Sequence, residues 1–460
     1  MSQTMNTSDC ILKGVRGQML TFKADPFFNS EKDCYDYYSD GLLVILDGRI
    51  AAIGDYDDIA PVYPGLKDVD EYHDALIVPG FVDCHTHYVQ LPMIGSYGDT
   101  LLDWLDRYTF PTETRFNDKG FADEVARVFF RQVLANGTTT ANVFSTTFEA
   151  SVDAFFQESE RYNTRMISGK VLQDRNLPEA LSDISAEESV ALSETLLQKW
   201  HNRGRQLYAV IPRFAPTSTP MQLRLAGELY QRHSGRGVYM HTHLDEAENE
   251  IEWVKSLFPE ASDYTDVYRR FGLLGSRSVM AHCCIVSDRE WEVLHDYGCG
   301  VVHCPSSNLF LGDGEFKCFD AKNPLRPCNV GIGTDVGGGT NFSVVRQLGE
   351  AYKVAMLHGN SLSALRCFYM ATRGGAETLG LSHAIGSLKP GYEADIAVLD
   401  FKPDKFVEWR MGFAENLAEK LFILQTLAPD NMNRATYVAG KKVFDRLRTG
   451  SRFMYAADIR

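Results

Sequence analysis

Short apolar runs rich in β-branched residues recur eight times between about residues 80 and 380. They are VPGFVDCHTH, TTTANVF, RMISGKVL, LYAVIPRF, GVYMHTHL, SVMAHCC, GVVHCP and NVGIGTD. Most of the stretches between them have the periodicity of amphipathic helices, as in FADEVARVFFRQVLANG and SAEESVALSETLLQKWHNRG. Eight strands that alternate with helices predict an α/β fold of the (β/α)8 TIM-barrel type, which we assign to residues 80–382. The alternative is an open doubly wound sheet, but no G-x-G-x-x-G opens a helix after a strand.

Both ends of the chain differ from this middle part in their sequence pattern. Residues 10–79 contain short strand-like segments punctuated by Gly, Asp and Pro, such as DGLLVILDGRIAAIGD. A similar pattern returns near the C-terminus in IGSLKPGYEADIAVLDF and ATYVAGKKVFDR. Because the termini of a chain often lie close together, we predict one small β-sandwich domain built from both ends, residues 1–79 and 383–460.

The composition limits which binding partners and which cellular compartment we expect for the protein. The 460-residue chain has a formal net charge of −15, which argues against a nucleic-acid or anionic-membrane surface. Its ten cysteines form no C-x-x-C pair and many lie in apolar runs, which favours free thiols in a reducing compartment. The N-terminal segment lacks the apolar stretch of a signal peptide, and no run is long enough to span a bilayer. We therefore expect a cytoplasmic protein that binds neither nucleic acid nor membrane.

The first of the eight runs ends in H-T-H, which sets His85 and His87 one residue apart. Side chains alternate between faces along a strand, so residues i and i+2 share a face and these two can converge on one ion. A lone histidine in an apolar run is more often a hydrogen-bonded core residue. Two imidazoles on one strand face would both need buried partners, however, so the motif favours a metal site.

Further candidate ligands follow later runs. His241 and His243 end the fifth run, His282 ends the sixth, and Asp335 ends the eighth. The chemistry of such a barrel is found at the C-terminal ends of its strands, so these side chains would meet over one mouth. Imidazole with carboxylate is a ligand set that suits zinc or iron. We expect only His243 of the fifth-run pair to be a direct ligand, and Asp335 has a second interpretation as a turn or cap aspartate before VGGG.

Glu246 follows His243 by three residues. This position would place its carboxyl group beside a water at the metal without binding the metal, which suits general acid/base catalysis. The alternative is a helix-start carboxylate favoured by the helix dipole, because EAENEIEWVKSLF has helical patterning. Both interpretations can hold for one residue.

Several motifs taken together resemble the amidohydrolase superfamily, and within it the aminohydrolase (deaminase) branch. They are H-T-H, H-T-H-L-D-E, A-H-C, H-C-P-S-S-N and G-T-D. The resemblance covers nearly the whole chain, including the split β-domain. DTLLDWLDRYTFPTETRF, NGTTTANVF and IPRFAPTS look more specifically like segments of the members that act on guanine. The P-C-x-x-C motif of a different class of zinc deaminases is absent, so the chain does not belong to that class.

The resemblance implies a hydrolase that deaminates guanine to xanthine and ammonia as a homodimer, with one zinc ion (Zn²⁺) per subunit. It implies that the zinc is bound by His85, His87, His243, His282 and Asp335. It assigns catalytic roles to Glu246 as the proton shuttle, to Asp335 and to His282. It implies that the substrate is surrounded by His87, Gln90, Arg213, Phe214, His243, Glu246 and Asp335.

The implied pocket is chemically reasonable. Arg213 and Gln90 offer hydrogen-bond donors to the carbonyl and ring nitrogens of guanine, while Phe214 can stack on its face. The alternative for Arg213 is a surface ion pair, although its place at the end of the fourth run points inward. A lid over the pocket is predicted from Trp104 and Phe110.

Two other functions are compatible with parts of the pattern. A sister deaminase could act on another purine, a pterin, a triazine or a nucleoside, because the ligand set is shared and only the pocket residues differ. A non-catalytic barrel that serves as an assembly subunit is disfavoured, because every expected ligand is present. His303 and Asn308 in HCPSSN are predicted to shape the barrel mouth rather than to take a chemical step.

Overall fold

The structure is a computed structural model that describes residues 12–98 and 100–449. Within these residues, sixteen strands form a nine-stranded sheet and a seven-stranded sheet. The strands are β1 (Leu12–Phe22), β2 (Tyr35–Leu46), β3 (Arg49–Asp55), β4 (Val69–Pro79), β5 (Phe81–His87), β6 (Thr138–Phe144), β7 (Arg165–Gly169), β8 (Val171–Leu172), β9 (Leu207–Pro212), β10 (Tyr239–Leu244), β11 (Ser278–His282), β12 (Gly300–His303), β13 (Asn329–Ile332), β14 (Ile396–Asp400), β15 (Asn433–Val438) and β16 (Lys441–Asp445).

The nine-stranded sheet is a nearly closed parallel barrel. Its hydrogen-bonded order is β5-β6-β7-β9-β10-β11-β12-β13, and the short β8 pairs with β9. The barrel strands are almost entirely buried, which explains why they appear in the sequence as continuous apolar runs rather than as alternating patterns. At the C-terminal end, the backbone N–H of Asp335 donates to the carbonyl oxygen of His85 (3.0 Å) and helps to join the last strand to the first. The eight predicted runs supply the eight strands of this order, so the predicted barrel is confirmed.

Helices cover the outside of the barrel. Several of them begin directly after a residue whose side chain caps the helix N-terminus. Ser185 accepts a hydrogen bond from the backbone N–H of Glu188 at the start of α6, and Thr219 caps α7, which begins at Pro220. The α-helices are α1 (Tyr56–Ile59), α2 (Leu101–Trp104), α3 (Phe110–Thr114), α4 (Lys119–Ala135), α5 (Glu149–Tyr162), α6 (Ala186–Trp200), α7 (Pro220–His233), α8 (Glu248–Leu257), α9 (Tyr264–Arg270), α10 (Asp288–Tyr297), α11 (Pro305–Leu311), α12 (Cys318–Ala321), α13 (Val344–Leu357), α14 (Ala364–Ala371), α15 (Arg373–Thr378), α16 (Lys405–Met411), α17 (Leu417–Leu427) and α18 (Arg446–Thr449). Among the described helices, none combines the length and the apolar content that crossing a membrane requires.

The small domain is built from both ends of the chain, as predicted. Its strands pair in the order β16-β15-β14-β4-β1-β2-β3. They form one continuous mixed sheet, whereas the sequence predicted a sandwich of two sheets. The sheet curls so that its two edges approach each other. The turn between β2 and β3 at Gly48 lies against the turn between β15 and β16 at Ala439. One face therefore encloses its own small core, and the domain boundaries after residues 79 and 382 stay predictions.

Buried ion pairs join the small domain to the N-terminal end of the barrel. Arg165, the first residue of β7, donates from Nε to Glu393 (2.8 Å). Arg205, two residues before β9, donates to Glu393 (2.5 Å) and also to Asp395. Both carboxylates lie just before β14 of the small domain. We call these four residues the basal cluster.

Candidate active site

The five predicted ligands lie together at the C-terminal end of the barrel. His85 and His87 are on β5, His243 is on β10, His282 ends β11, and Asp335 follows β13 by three residues. All five are buried, and the most accessible, His243, is only 9% exposed. We call these five residues the mouth cluster. The topology thus brings together side chains that are far apart in the sequence.

Distances within the mouth cluster match those of a metal site. Oδ1 of Asp335 lies 3.1 Å from Nε2 of His85 and 3.3 Å from Nε2 of His87. Nε2 of His87 lies 3.2 Å from Nε2 of His243, and Nε2 of His282 lies 3.9 Å from Oδ2 of Asp335. The ligand atoms of a tetrahedral zinc site lie about 3.4 Å apart, because each is about 2.1 Å from the ion. The spacing therefore fits one ion held between these atoms.

Hydrogen bonds behind the rings orient their free nitrogens. Nδ1 of His243 donates to the carbonyl oxygen of Arg213 (2.7 Å), which leaves the Nε2 lone pair of His243 facing the cluster. Nδ1 of His85 is hydrogen-bonded to Nε2 of His241 (2.9 Å). His241 therefore supports a ligand from behind, and His243 is the member of its pair that lies with His85 and His87.

Protonation states in the mouth cluster also suit a metal. Burial lowers the pKa of His87 and of His243 well below the usual 6.5, and it lowers that of His282 to about 3. Burial alone would raise the pKa of Asp335, but the imidazole of His85 and the other histidines hold this pKa well below 3.8. Neutral imidazole and ionised carboxylate are the forms that bind metals. Nε2 of His282 is buried without a hydrogen-bond partner, which a metal ion would relieve.

Glu246 lies beside the cluster as a buried acid. Its Oε1 is 3.3 Å from Nδ1 of His282. Burial, followed by the charges of Asp313 and Glu250, raises the pKa of Glu246 well above 4.5. The helix-start role belongs to Glu250, whose carboxylate accepts from the backbone N–H groups of Glu246 (3.0 Å) and Ala247 (3.4 Å) before α8. The side chain of Glu246 is thus left to exchange protons.

A pocket adjoins the mouth cluster. Every residue predicted to surround the substrate lines it: His87, Gln90, Arg213, Phe214, His243, Glu246 and Asp335. Leu101, Trp104 and Leu105 add an apolar wall. An apolar pocket with a few convergent polar groups suits a flat heterocycle of small size.

Of the two residues predicted to form a lid, Trp104 lines this pocket and Phe110 lies beside it. Residues 101–114 form α2, one π-helical turn (Leu105–Thr109) and α3. Trp104 lines the pocket, and its Nε1 donates to the carbonyl oxygen of Ser96 (2.9 Å). Phe110 lies next to the pocket, with its ring 5.5 Å from the guanidinium carbon of Arg213. Single π-helical turns are uncommon and are often found at functional sites.

The two residues predicted to shape the mouth lie at its rear. The side-chain amide nitrogen of Asn308 is 3.1 Å from Nδ1 of His282. His303 ends β12, and its ring stacks on Phe316 with centroids 4.6 Å apart. Neither side chain lines the pocket that adjoins the mouth cluster.

Two carboxylates at the site, the buried Glu113 and the partly buried Asp313, are not predicted by the sequence reasoning. Glu113 accepts hydrogen bonds from Arg213 (2.6 Å) and from Gln90 (3.3 Å). Asp313 is hydrogen-bonded to Glu246, and burial raises its pKa to about 7. Asp313 stands neither in a quoted motif nor at the end of a strand. Glu113 lies in the segment DTLLDWLDRYTFPTETRF, one helical turn after Phe110, but nothing in the pattern of that segment distinguishes it.

Four non-glycine residues at the mouth have positive φ angles. Asp245, His282, Cys283 and Asp335 have φ angles of 50°, 72°, 51° and 46°. These angles lie in the left-handed region, which L-residues other than Asn and Asp rarely adopt, so the conformations of His282 and Cys283 are the unusual ones. Such conformations persist only where the surrounding structure enforces them, and they are common at active sites.

Sequence comparison identifies the class of protein. The sequence model of the Amidohydrolase family matches residues 76–443. The chain therefore belongs to the amidohydrolase family, whose members generally use a divalent metal. The resemblance noted from the motifs is thereby confirmed.

Within that family the chain is similar to guanine deaminases. Guanine deaminase of Escherichia coli (strain K12) is 43% identical over 444 residues, which cover 96% of this chain and 100% of that protein. The solved structure of E. coli guanine deaminase matches with a TM-score of 0.91 and 43% identity, and covers 94% of this chain and 100% of its own. The structure of guanine deaminase from C. acetobutylicum with bound guanine matches with a TM-score of 0.84 and 27% identity, over 94% and 100% of the two chains.

Proposed function

We propose that this protein catalyses the hydrolytic deamination of guanine to xanthine and ammonia. The observation that carries the proposal is a pocket that brings Gln90, Arg213 and Phe214 next to a buried cluster with the spacing of a metal site. Full-length similarity to guanine deaminases supports the same substrate.

Zinc is the metal that the donor set favours. We propose that His85, His87, His243, His282 and Asp335 hold one Zn²⁺ per subunit. Neutral imidazoles with one carboxylate form a nitrogen-rich set, which zinc prefers over magnesium or calcium. When bound, zinc lowers the pKa of water so that hydroxide is accessible near neutral pH.

The proton transfers are assigned to three residues of the chain. Asp335 accepts the proton of the attacking water as its oxygen bonds to the amino-bearing carbon of guanine. Glu246, protonated because its pKa is raised, donates to the adjacent ring nitrogen and makes that carbon more electrophilic. The proton held on Asp335 then passes through Glu246 to the amine, the carbon–nitrogen bond breaks, and ammonia leaves. The remaining hydroxyl proton passes to Glu246 as the carbonyl of xanthine forms, which restores the protonated acid. His282, beside both carboxyl groups, steadies the attacking oxygen.

Guanine itself is held by the pocket side chains. Arg213 and Gln90 donate hydrogen bonds to its carbonyl edge, and Phe214 packs on its face. A substrate without that carbonyl would leave buried donors unpaired, which costs affinity. Selectivity for guanine over adenine follows from these donors.

Assembly and location complete the proposal. We propose a homodimer on the basis of the resemblance to the deaminase branch, and light scattering of purified protein measures this directly. We propose the cytoplasm because the nine cysteines within the described residues are all free and buried, as is usual in a reducing compartment. Localisation of a fluorescently tagged chain tests the compartment.

The deciding experiment follows ammonia release and the ultraviolet change to xanthine with purified, metal-quantified protein. Adenine, cytosine and guanosine serve as parallel substrates. We expect turnover of guanine alone, lost on chelation and restored by zinc. Absence of guanine turnover by protein that carries about one zinc per chain would reject the substrate assignment. Turnover of another heterocycle would then point to a sister deaminase.

A further inference from the structure

We propose that Glu113 is a positioning residue that fixes Arg213 and Gln90 in the geometry needed to recognise the substrate. This inference rests on the proposed function, because it concerns the two side chains assigned to the carbonyl edge of guanine. Glu113 does not line the pocket and acts only through these two residues.

One carboxylate anchors both donors. Oε2 of Glu113 accepts from Nη1 of Arg213 at 2.6 Å, and Oε1 accepts from Nε2 of Gln90 at 3.3 Å. The side chain of Glu113 is completely buried, and that of Arg213 is 3% exposed. A charge-assisted bond between buried groups is short and directional, so it fixes the orientation of the guanidinium plane. The remaining N–H groups of Arg213 and Gln90 are thus oriented together.

Residues 101–114, which we call the lid segment, supply a second contact for Arg213. Phe110 lies one turn before Glu113 on α3, and its ring is 5.5 Å from the guanidinium carbon. The backbone of Arg213 is fixed as well, since its carbonyl oxygen accepts from Nδ1 of His243 (2.7 Å). Arg213 is therefore held at its backbone by a mouth-cluster residue and at its side chain by the lid segment.

The ion pair also sets the charge of the pocket. The carboxylate of Glu113 neutralises the guanidinium of Arg213, so the pair offers hydrogen-bond donors with little net charge. Such a site suits a neutral carbonyl-bearing purine rather than an anion. Loss of the Glu113 charge would leave a buried cation without its partner and free to rotate.

The test replaces Glu113 by glutamine. We expect Glu113→Gln to lower kcat/KM for guanine by about 100-fold, mainly by raising KM, because misplacement by about 1 Å has an effect of that size. Zinc content should stay at the wild-type value. Binding of hypoxanthine, which keeps the carbonyl but lacks the amino group, should weaken in parallel. An unchanged KM in a folded Glu113→Gln protein would overturn the proposal.

A matched control and a double variant separate positioning from stability. Glu393→Gln makes the same change in a buried glutamate paired with arginine, but in the basal cluster, and should leave KM unchanged. In an Arg213→Ala background, Glu113→Gln should cause little additional loss of kcat/KM. Multiplicative losses, or an equal KM effect in Glu393→Gln, would contradict a role through Arg213.

Two further results keep the outcomes distinct. If Glu113→Gln does not fold, Glu113→Asp retains the charge but shortens the side chain. We expect a smaller rise in KM for that variant, and no rise would overturn the proposal. Absence of guanine turnover by the wild-type protein would refute the proposed function. Normal wild-type turnover with an unaffected Glu113→Gln variant would refute this inference alone.

Discussion

Charged and polar groups are buried at both ends of the barrel, but their surroundings differ. In the basal cluster, Arg205 donates to both Glu393 and Asp395, so each charge has a partner of opposite sign. In the mouth cluster, Nε2 of His282 has no hydrogen-bond partner, and the ring nitrogens of different histidines face one another. The basal cluster consists of paired opposite charges, whereas the mouth cluster brings together acceptor atoms that need a cation.

This difference separates what holds the fold from what performs the chemistry. A buried polar group without a partner destabilises a protein, and a bound metal would supply the missing partner for Nε2 of His282 at the mouth. The basal ion pairs instead join the small domain to the barrel.

The largest expected effect comes from a substitution beside the mouth cluster. Glu246→Gln removes the proposed proton donor and keeps the shape of the side chain. We expect kcat for guanine to fall by about 10²–10⁴-fold, the usual contribution of general acid/base catalysis. The measurement is steady-state deamination by protein whose zinc content has been determined.

Stability provides the control for this substitution. The side chain of Glu246 does not cap α8, because the side chain of Glu250 accepts the backbone hydrogen bonds there. The free energy of unfolding should therefore not decrease in Glu246→Gln. Near-normal activity in the zinc-replete variant would remove Glu246 from the mechanism. A large loss of stability would show that Glu246 also stabilises the fold, as the residues of the basal cluster do.

A substitution in the basal cluster should lower stability and leave catalysis unchanged. Arg205→Ala leaves Asp395 and Glu393 with fewer partners in a buried position. Breaking a buried ion pair by removing one partner costs about 3–5 kcal/mol, and we expect a loss of this size in the free energy of unfolding. Urea denaturation gives this value, while KM for guanine and zinc content should remain unchanged. Impaired guanine binding in the folded variant would argue against the separation of the two ends.

The sequence predicts the parts of the molecule that depend on local pattern. Buried parallel strands are continuous apolar runs, so all eight barrel strands are recognisable, and a histidine or aspartate at the end of a run points to the mouth. His241 and His243 are less easily separated, because residues i and i+2 share a strand face. The fold supports the choice of His243 by two hydrogen bonds, from Nδ1 of His243 to the carbonyl oxygen of Arg213 and between His241 and His85.

The features that escape prediction depend on contacts between distant segments. Glu113 is ordinary in sequence, and its importance comes from Arg213, 100 residues away. The single curled sheet of the small domain requires pairing of β4 with β14, which alternating patterns at the two chain ends do not specify. Neither charge pairing across a fold nor strand order leaves a periodic trace in the sequence.

The smallest expected effect is a difference in the pH dependence of stability between two buried glutamates. Near the mouth, burial raises the pKa of Glu250 from 4.5 to about 7. At the base, burial opposes ionisation of Glu393, but Arg165 and Arg205 outweigh it and hold its pKa below 4.5. Glu250 therefore contributes stability that is present below pH 4.5 and lost as pH rises through about 7. Glu393 contributes stability that is present above pH 4.5 and lost as pH falls through its folded pKa.

Unfolding of the wild-type protein, Glu250→Gln and Glu393→Gln across pH would measure these opposite slopes. Between pH 4.5 and about 7, the stability of Glu250→Gln should rise relative to wild type, by at most about 1.4 kcal/mol per pH unit. Below pH 4.5, the stability deficit of Glu393→Gln relative to wild type should shrink, because the wild-type ion pair is being protonated. Slopes of the same sign in both variants would contradict the assigned environments. Opposite slopes would mean that burial keeps Glu250 protonated near the mouth, while Glu393 at the base stays charged and attaches the small domain.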